Sequence, residues 1–237
     1  MDDLYKQIDL NLSNIGNPNE ASRELTFEFW HELRISNLLT VENTSYLLDR
    51  GLDLLMFNIE LGRDEAVLTR SYSLLMLDCL LQANTDNLLT NQQLERLVCK
   101  IRDYMDRESD WRGFNLDYGY IHALAHLSDC VYSLAKCERL DIDIKQTLLG
   151  DYLKLLEHAN CEYLYQEDER VAKAIAAFDL PCRPLVIKWL DSRLDAISDF
   201  DREERSKHVF KYRLILKALL VYDCENEVVK KILLKLY

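Results

Sequence analysis

Glycine and proline are scarce, with 6 and 3 among 237 residues. Scarcity on that scale excludes a collagen-like or low-complexity chain and leaves few points where a regular element must stop. No apolar run approaches the roughly 20 residues of a membrane-spanning helix; LILKALLVY near the C-terminus comes nearest and a lysine interrupts it. Basic charge is in deficit: 29 Lys and Arg against 41 Asp and Glu give a formal charge of −12. That balance argues against nucleic acid and anionic membranes as partners, since both need a clustered basic face. The opening MDDLYKQIDLNLSN lacks the basic region and apolar stretch of a secretory signal, so a soluble, cytoplasmic protein is expected. The seven cysteines form no CxxC pair and no even framework, which points to reduced thiols acting as small hydrophobes.

What is present is helical periodicity. Leu4, Ile8, Leu12 and Ile15 repeat at spacings of three and four, and Gly16-Asn17-Pro18 breaks the pattern. The next segment, 19–38, has Leu25, Phe29, Leu33 and Leu38 as inward candidates and Arg23, Glu24, Glu28 and Glu32 as its wetter side. Thr40 is placed to cap a following helix that Gly62 ends, and Thr90 with Gln93 has capping-box spacing. Further helices are expected over 64–83, 90–107, 120–137, 143–158, 166–178, 183–197, 201–222 and 225–237. Lys207, Lys211, Arg213 and Lys217 lie close together in the 201–222 segment and are read as a solvated or dipole-complementing face.

About eleven helices and no sustained two-residue alternation make the chain all-α. Short loops imply antiparallel hairpins, arranged as a HEAT- or armadillo-like right-handed array or as a compact multi-helix bundle, with the array preferred. Residues 1–237 read as a single domain with a minor break at 179–184, where Pro181 and Pro184 fall.

Chemistry concentrates in 110–129, DWRGFNLDYGYIHALAHLSD. His122, His126 and Asp129 stand at i, i+4 and i+7, which on a continuous helix places all three on one face. Two imidazoles one turn apart suit a divalent transition metal, with Asp129 as third ligand, orienter or base. The alternatives are a histidine–aspartate acid/base pair without metal, or a satisfied polar seam between packed helices. Asp110, Asp117, Glu167 and Asp168 are further acids the fold could bring in. Gly113 and Gly119 bracket the preceding loop. Its backbone N–H groups with Arg112 could receive an anion, or the glycines simply supply turns while Arg112 ties the loop down through Asp110 or another acid. An ion-pair network joining Arg70, Arg112, Asp129 and Asp168 is also expected, with Arg170 beside it.

Four ordered stretches, RSYS at 70, DWRG at 110, GYIHALAHLSD at 119 and EDER at 167, resemble the bacterial family known as domain of unknown function 2785. The resemblance covers roughly 20–180. It implies a soluble, all-helical protein and links Arg70, Arg112, Gly113, Gly119, His122, His126, Asp129, Asp168 and Arg170 as one set. It brings no activity or cofactor. The chain departs from the family pattern at Tyr120, where tryptophan is usual, and at Leu127-Ser128, where Gly-Ala is usual, so a close approach beside His126 is not implied here.

Two functional classes follow. One is a non-enzymatic protein- or peptide-binding module built from helical hairpins. The other is a metal-assisted hydrolase or small-ligand binder using His122, His126 and Asp129. Whether the protein is an enzyme, and its oligomeric state, stay open at this level.

Overall fold

A computed structural model describes residues 2–83, 88–161, 163–178, 180–197, 202–222 and 230–231. The protein is all-α. Ten α-helices occupy the described residues: α1 (Asp2–Asn14), α2 (Glu20–Ile35), α3 (Val41–Leu55), α4 (Ala66–Ala83), α5 (Asn91–Arg107), α6 (Ala123–Lys136), α7 (Ile142–His158), α8 (Glu167–Ala176), α9 (Arg183–Ile197) and α10 (Arg202–Tyr222). The helix expected over 225–237 lies outside the described residues apart from 230 and 231.

Local chemistry sets the boundaries. Asn19 accepts the Ser22 N–H to open α2, and full capping boxes form at Thr40 with Asn43 and at Thr90 with Gln93. Between α5 and α6 the sequence yields a feature too short for alternation to reveal: a two-stranded antiparallel hairpin, β1 (Phe114–Asn115) and β2 (Gly119–Tyr120).

The helices sort into two layers by parity. α2 packs on α4, α4 on α6, α6 on α8 and α8 on α10, while α3 packs on α5, α5 on α7 and α7 on α9. Contacts of α1 with α2, α3 with α4, α6 with α7 and α9 with α10 join consecutive helices. The buried apolar side chains form one cluster from Ile8 to Leu219. α4 lies deep in the core, its Val67, Leu68, Leu74, Met76 and Leu77 having no exposed surface, as expected of a helix apolar nearly all round. No helix among the described residues is long and apolar enough to cross a membrane.

Two faces differ from expectation. In α2 the buried side carries Arg23, Thr26, Trp30 and Leu33, whereas Leu25 and, past the end of the helix, Leu38 are more than half exposed. The helix is turned because Arg23 finds carbonyl partners inside: Nη1 donates to Asn17 at 2.6 Å and Pro18 at 3.0 Å, and Nη2 donates to Tyr118 and to Tyr120, the latter at 3.1 Å. Nη1 and Nη2 are matched and Nε is left without a partner, so these four carbonyl bonds are what offset the burial of the charge. In α10, Lys211 is buried, not solvated. Its Nζ donates to the carbonyls of Leu156 and Ala159 at the end of α7, at 2.6 and 3.3 Å, and burial lowers its pKa to about 8.

Candidate functional site

A cleft of about 540 Å³ opens on the even-helix layer. Four successive members of that layer wall it: Glu24, Phe27, His31 and Arg34 from α2, Tyr72, Asp78 and Gln82 from α4, His126, Asp129 and Tyr132 from α6, and Glu169, Arg170 and Lys173 from α8.

His126 is 4% exposed. The Ser71 hydroxyl donates to the Ile121 carbonyl at 2.5 Å and so offers His126 only lone pairs. The Nδ1 of His126 therefore carries the hydrogen and donates to Ser71 Oγ at 2.9 Å and Ser71 O at 3.2 Å. Nε2 is left as the unprotonated nitrogen. Burial, with the nearby charges of His122 and Arg170, pushes the His126 pKa well below the usual histidine value, so the ring is neutral.

Asp129 meets Arg170 at 2.5 Å, an ion pair between α6 and α8 with both side chains partly exposed. Asp78 is 5% exposed and sits in a chain of hydrogen bonds across three helices. Arg34 Nη1 donates to Gln82 Oε1 at 2.6 Å, Gln82 Nε2 to Asp78 Oδ2 at 2.6 Å, and Ser133 to Asp78 Oδ1 at 2.5 Å. Both donors to Asp78 are neutral. Burial accordingly pushes its pKa up to about 6. In the sequence Asp78 interrupts an apolar stripe of Val67, Tyr72, Leu75, Met76, Cys79 and Leu80, and that interruption is the signal for its place here.

His122 does not join His126 and Asp129 on α6. Its φ is 52°, a left-handed residue that precedes the helix, so the spacing expected of a continuous helix does not apply. Its ring stacks on Tyr120 with centroids 4.7 Å apart, and Nδ1 lies 3.9 Å from Glu167 Oε1. The rings of His122 and His126 still meet edge to face with centroids 5.6 Å apart, but the polar partners of the three residues expected as metal ligands are different: Glu167 near His122, Ser71 for His126 and Arg170 for Asp129. Among the described residues no group of three or more His, Cys, Asp or Glu side chains is placed to hold a metal ion.

The loop donors are filled from within the chain. Gly113 O accepts from the N–H groups of Ile121 and His122, both at 3.0 Å, and Arg112 O from that of Ala123 at 3.4 Å. Tyr120 N–H donates to Glu20 Oε1 at 2.9 Å, so the carboxylate at this loop is the protein's own. Arg112 grips Asp110 with Nε at 2.7 Å and Nη2 at 2.5 Å.

The expected ion-pair network is two separate groups. Arg70 pairs with Glu108, whose Oε1 also accepts the N–H groups of Ser109 and Asp110 at 2.9 Å each and so links to the Arg112–Asp110 pair. Asp129 with Arg170 stands apart on the cleft. Asp168 enters neither group and has no ion pair among the described residues. Spacing does not single out Glu108 or Arg23, because each has a partner far along the chain, Arg70 at 38 residues for Glu108 and Tyr118 at 95 for Arg23.

The family described as "Protein of unknown function (DUF2785)" matches residues 55–219, more than half of the chain. The chain belongs to this family. No curated protein and no solved structure matches it. The DUF2785 match takes in the cleft walls contributed by α4, α6 and α8 and leaves out the α2 wall. It also includes α9 and most of α10, which the resemblance left less constrained. Within the DUF2785 stretch, Leu127 is fully buried and Ser128 bonds to Leu124 O at 2.6 Å and Tyr152 Oη at 2.7 Å, facing α7. The departure from Gly-Ala at these positions therefore falls outside the cleft wall.

Proposed function

We propose that this protein is a non-enzymatic binding module that holds a peptide segment of a partner in the cleft of its even-helix layer. In this reading the two layers are those of a HEAT- or armadillo-like array, whose successive helices offer one continuous binding face. The observation that carries it is the cleft's lining. Four consecutive helices of one layer supply aromatic rings, acids and bases together, including Phe27, Tyr72, Tyr132, Glu24, Asp129, Arg170 and Lys173. Peptides present amides, charges of both signs and apolar side chains, and a mixed wall of this kind matches all three.

A second reading, a small-ligand binder or hydrolase, draws on the neutral, oriented His126 beside Asp78 and Asp129. The peptide reading is preferred because the Ser71 hydroxyl at His126 is fully buried and gives its hydrogen to the Ile121 carbonyl instead of to the imidazole, which is not the arrangement of an activated nucleophile.

The test is selection of a displayed random-peptide library against the purified protein, followed by affinity measurement on the Tyr132→Ala variant. Enriched peptides that bind at least tenfold more weakly to the folded variant support the reading. No enrichment, or equal binding to the variant, overturns it.

A further inference from the structure

Asp78 and His126 are both more than nine-tenths buried, both line the cleft, and among the described residues neither makes an ion pair, although the charge of Lys173 acts on Asp78 from a distance. Among the described residues the Asp78 carboxylate accepts hydrogen bonds only from Ser133 and Gln82, which are neutral. The His126 ring is held by Ser71 so that Nε2 is an acceptor, and Nε2 has no protein partner among the described residues. A buried carboxylate without a counter-ion is costly, and the Nε2 lone pair, on a ring that lines the cleft, is an acceptor still open to a donor. A ligand that brings positive charge and N–H donors would relieve both.

The rest of the wall is balanced in charge, with Glu24, Asp129 and Glu169 against Arg34, Arg170 and Lys173, so Asp78 leaves the lining net negative; Asp129 is paired with Arg170, and Lys173 Nζ lies 4.2 Å from the Tyr132 ring centroid. Lys173 makes no ion pair with Asp78 or Asp129 among the described residues, so its charge does not fill the Asp78 position. The protein as a whole, at −12, attracts cations toward the opening.

We propose that the cleft takes a cationic nitrogen, the ammonium or guanidinium of a lysine or arginine side chain, with Asp78 as its carboxylate partner and His126 Nε2 as an added acceptor. This deepens the peptide-binding reading and rests on it for the source of the cation. A free polyamine would offer the same chemistry, and the experiment separates the two.

Binding is measured by NMR titration at neutral pH with three probes: blocked glycine-serine peptides carrying one lysine or one arginine, the same lysine peptide acetylated on Nζ, and spermidine. The proteins are wild type, Asp78→Asn and His126→Phe. The expected result is that the charged peptides bind at least tenfold more tightly than the acetylated one. Asp78→Asn is expected to abolish that preference and His126→Phe to weaken it. Equal binding of charged and acetylated peptides overturns the cation inference and leaves peptide binding standing. Binding of spermidine alone, sensitive to Asp78→Asn, upholds the cation site and overturns the peptide reading. No binding by any probe, or a preference unchanged in Asp78→Asn protein that remains folded, overturns the assignment of Asp78.

Discussion

Arg70 and Glu108 meet through two hydrogen bonds, Nε to Oε2 at 2.6 Å and Nη2 to Oε1 at 3.1 Å, with neither side chain exposed. Arg70 also donates to the carbonyls of Phe57 and Asn58, so the pair ties α4 to the end of α5 and to the turn after α3. Removing one partner strands a buried charge. Glu108→Gln is expected to destabilise the protein by about 3–5 kcal/mol in urea unfolding. Arg170→Gln, at the partly exposed Asp129 pair, is expected to cost about 1 kcal/mol or less. Equal losses would contradict this division between a buried clamp and an open cleft pair.

Asp78 gives a pH dependence with a defined sign. Its pKa is raised to about 6 from an ordinary value of 3.8, so the native state binds more protons than the unfolded state between those limits. Its ionisation therefore costs stability as pH rises from about 4 to 6, and the cost is complete above that window. Asp78→Asn is expected to stabilise the protein at pH 7 by about 1–3 kcal/mol, with the gain gone at pH 4. Melting temperatures across pH 4–8 read this directly, and a variant less stable at pH 7 than at pH 4, relative to wild type, would refute it.

Gly119 has a φ of 73°, and a Cβ there would meet the carboxylate of Glu20. Gly119→Ala is expected to cost about 1–3 kcal/mol, from backbone strain and from displacing Glu20 off the Tyr120 N–H. Thermal unfolding provides the check, with Gly150→Ala, which has open space around it, as the control that is unaffected or stabilised.

Arg23 holds the β-hairpin to α2 through the carbonyls of Tyr118 and Tyr120 and lies 5.1 Å from the Tyr72 ring. Lysine keeps the charge but lacks the fork. Arg23→Lys is expected to lose about 2 kcal/mol and to speed proteolysis within residues 114–120, because the hairpin's carbonyls lose their donor. Unchanged cleavage kinetics would mean that the hairpin is held by other contacts.

Residues whose partners are local were legible in the sequence, and those with distant partners were not. The capping pairs Thr40–Asn43 and Thr90–Gln93 act across three residues, so helix starts follow from spacing alone. Arg112 with Asp110 is equally local. Arg23 was assigned to the wet face of α2 because charge normally stays in water. Its four carbonyl acceptors lie in two loops, one of them nearly a hundred residues on. His122 was placed on α6 because periodicity carries no information about the sign of φ. The cleft itself gathers α2, α4, α6 and α8, and only the packing of alternate helices, which no local pattern encodes, brings Asp78 and His126 to one wall.

Amide hydrogen exchange of the protein with and without a library-selected peptide tests the central claim most directly, that the even-helix layer is the binding face. The expected result is new protection in α2, α4, α6 and α8 around the cleft, with α5 and α7 unchanged. Protection confined to α5 and α7, or to the 114–120 hairpin, would contradict it.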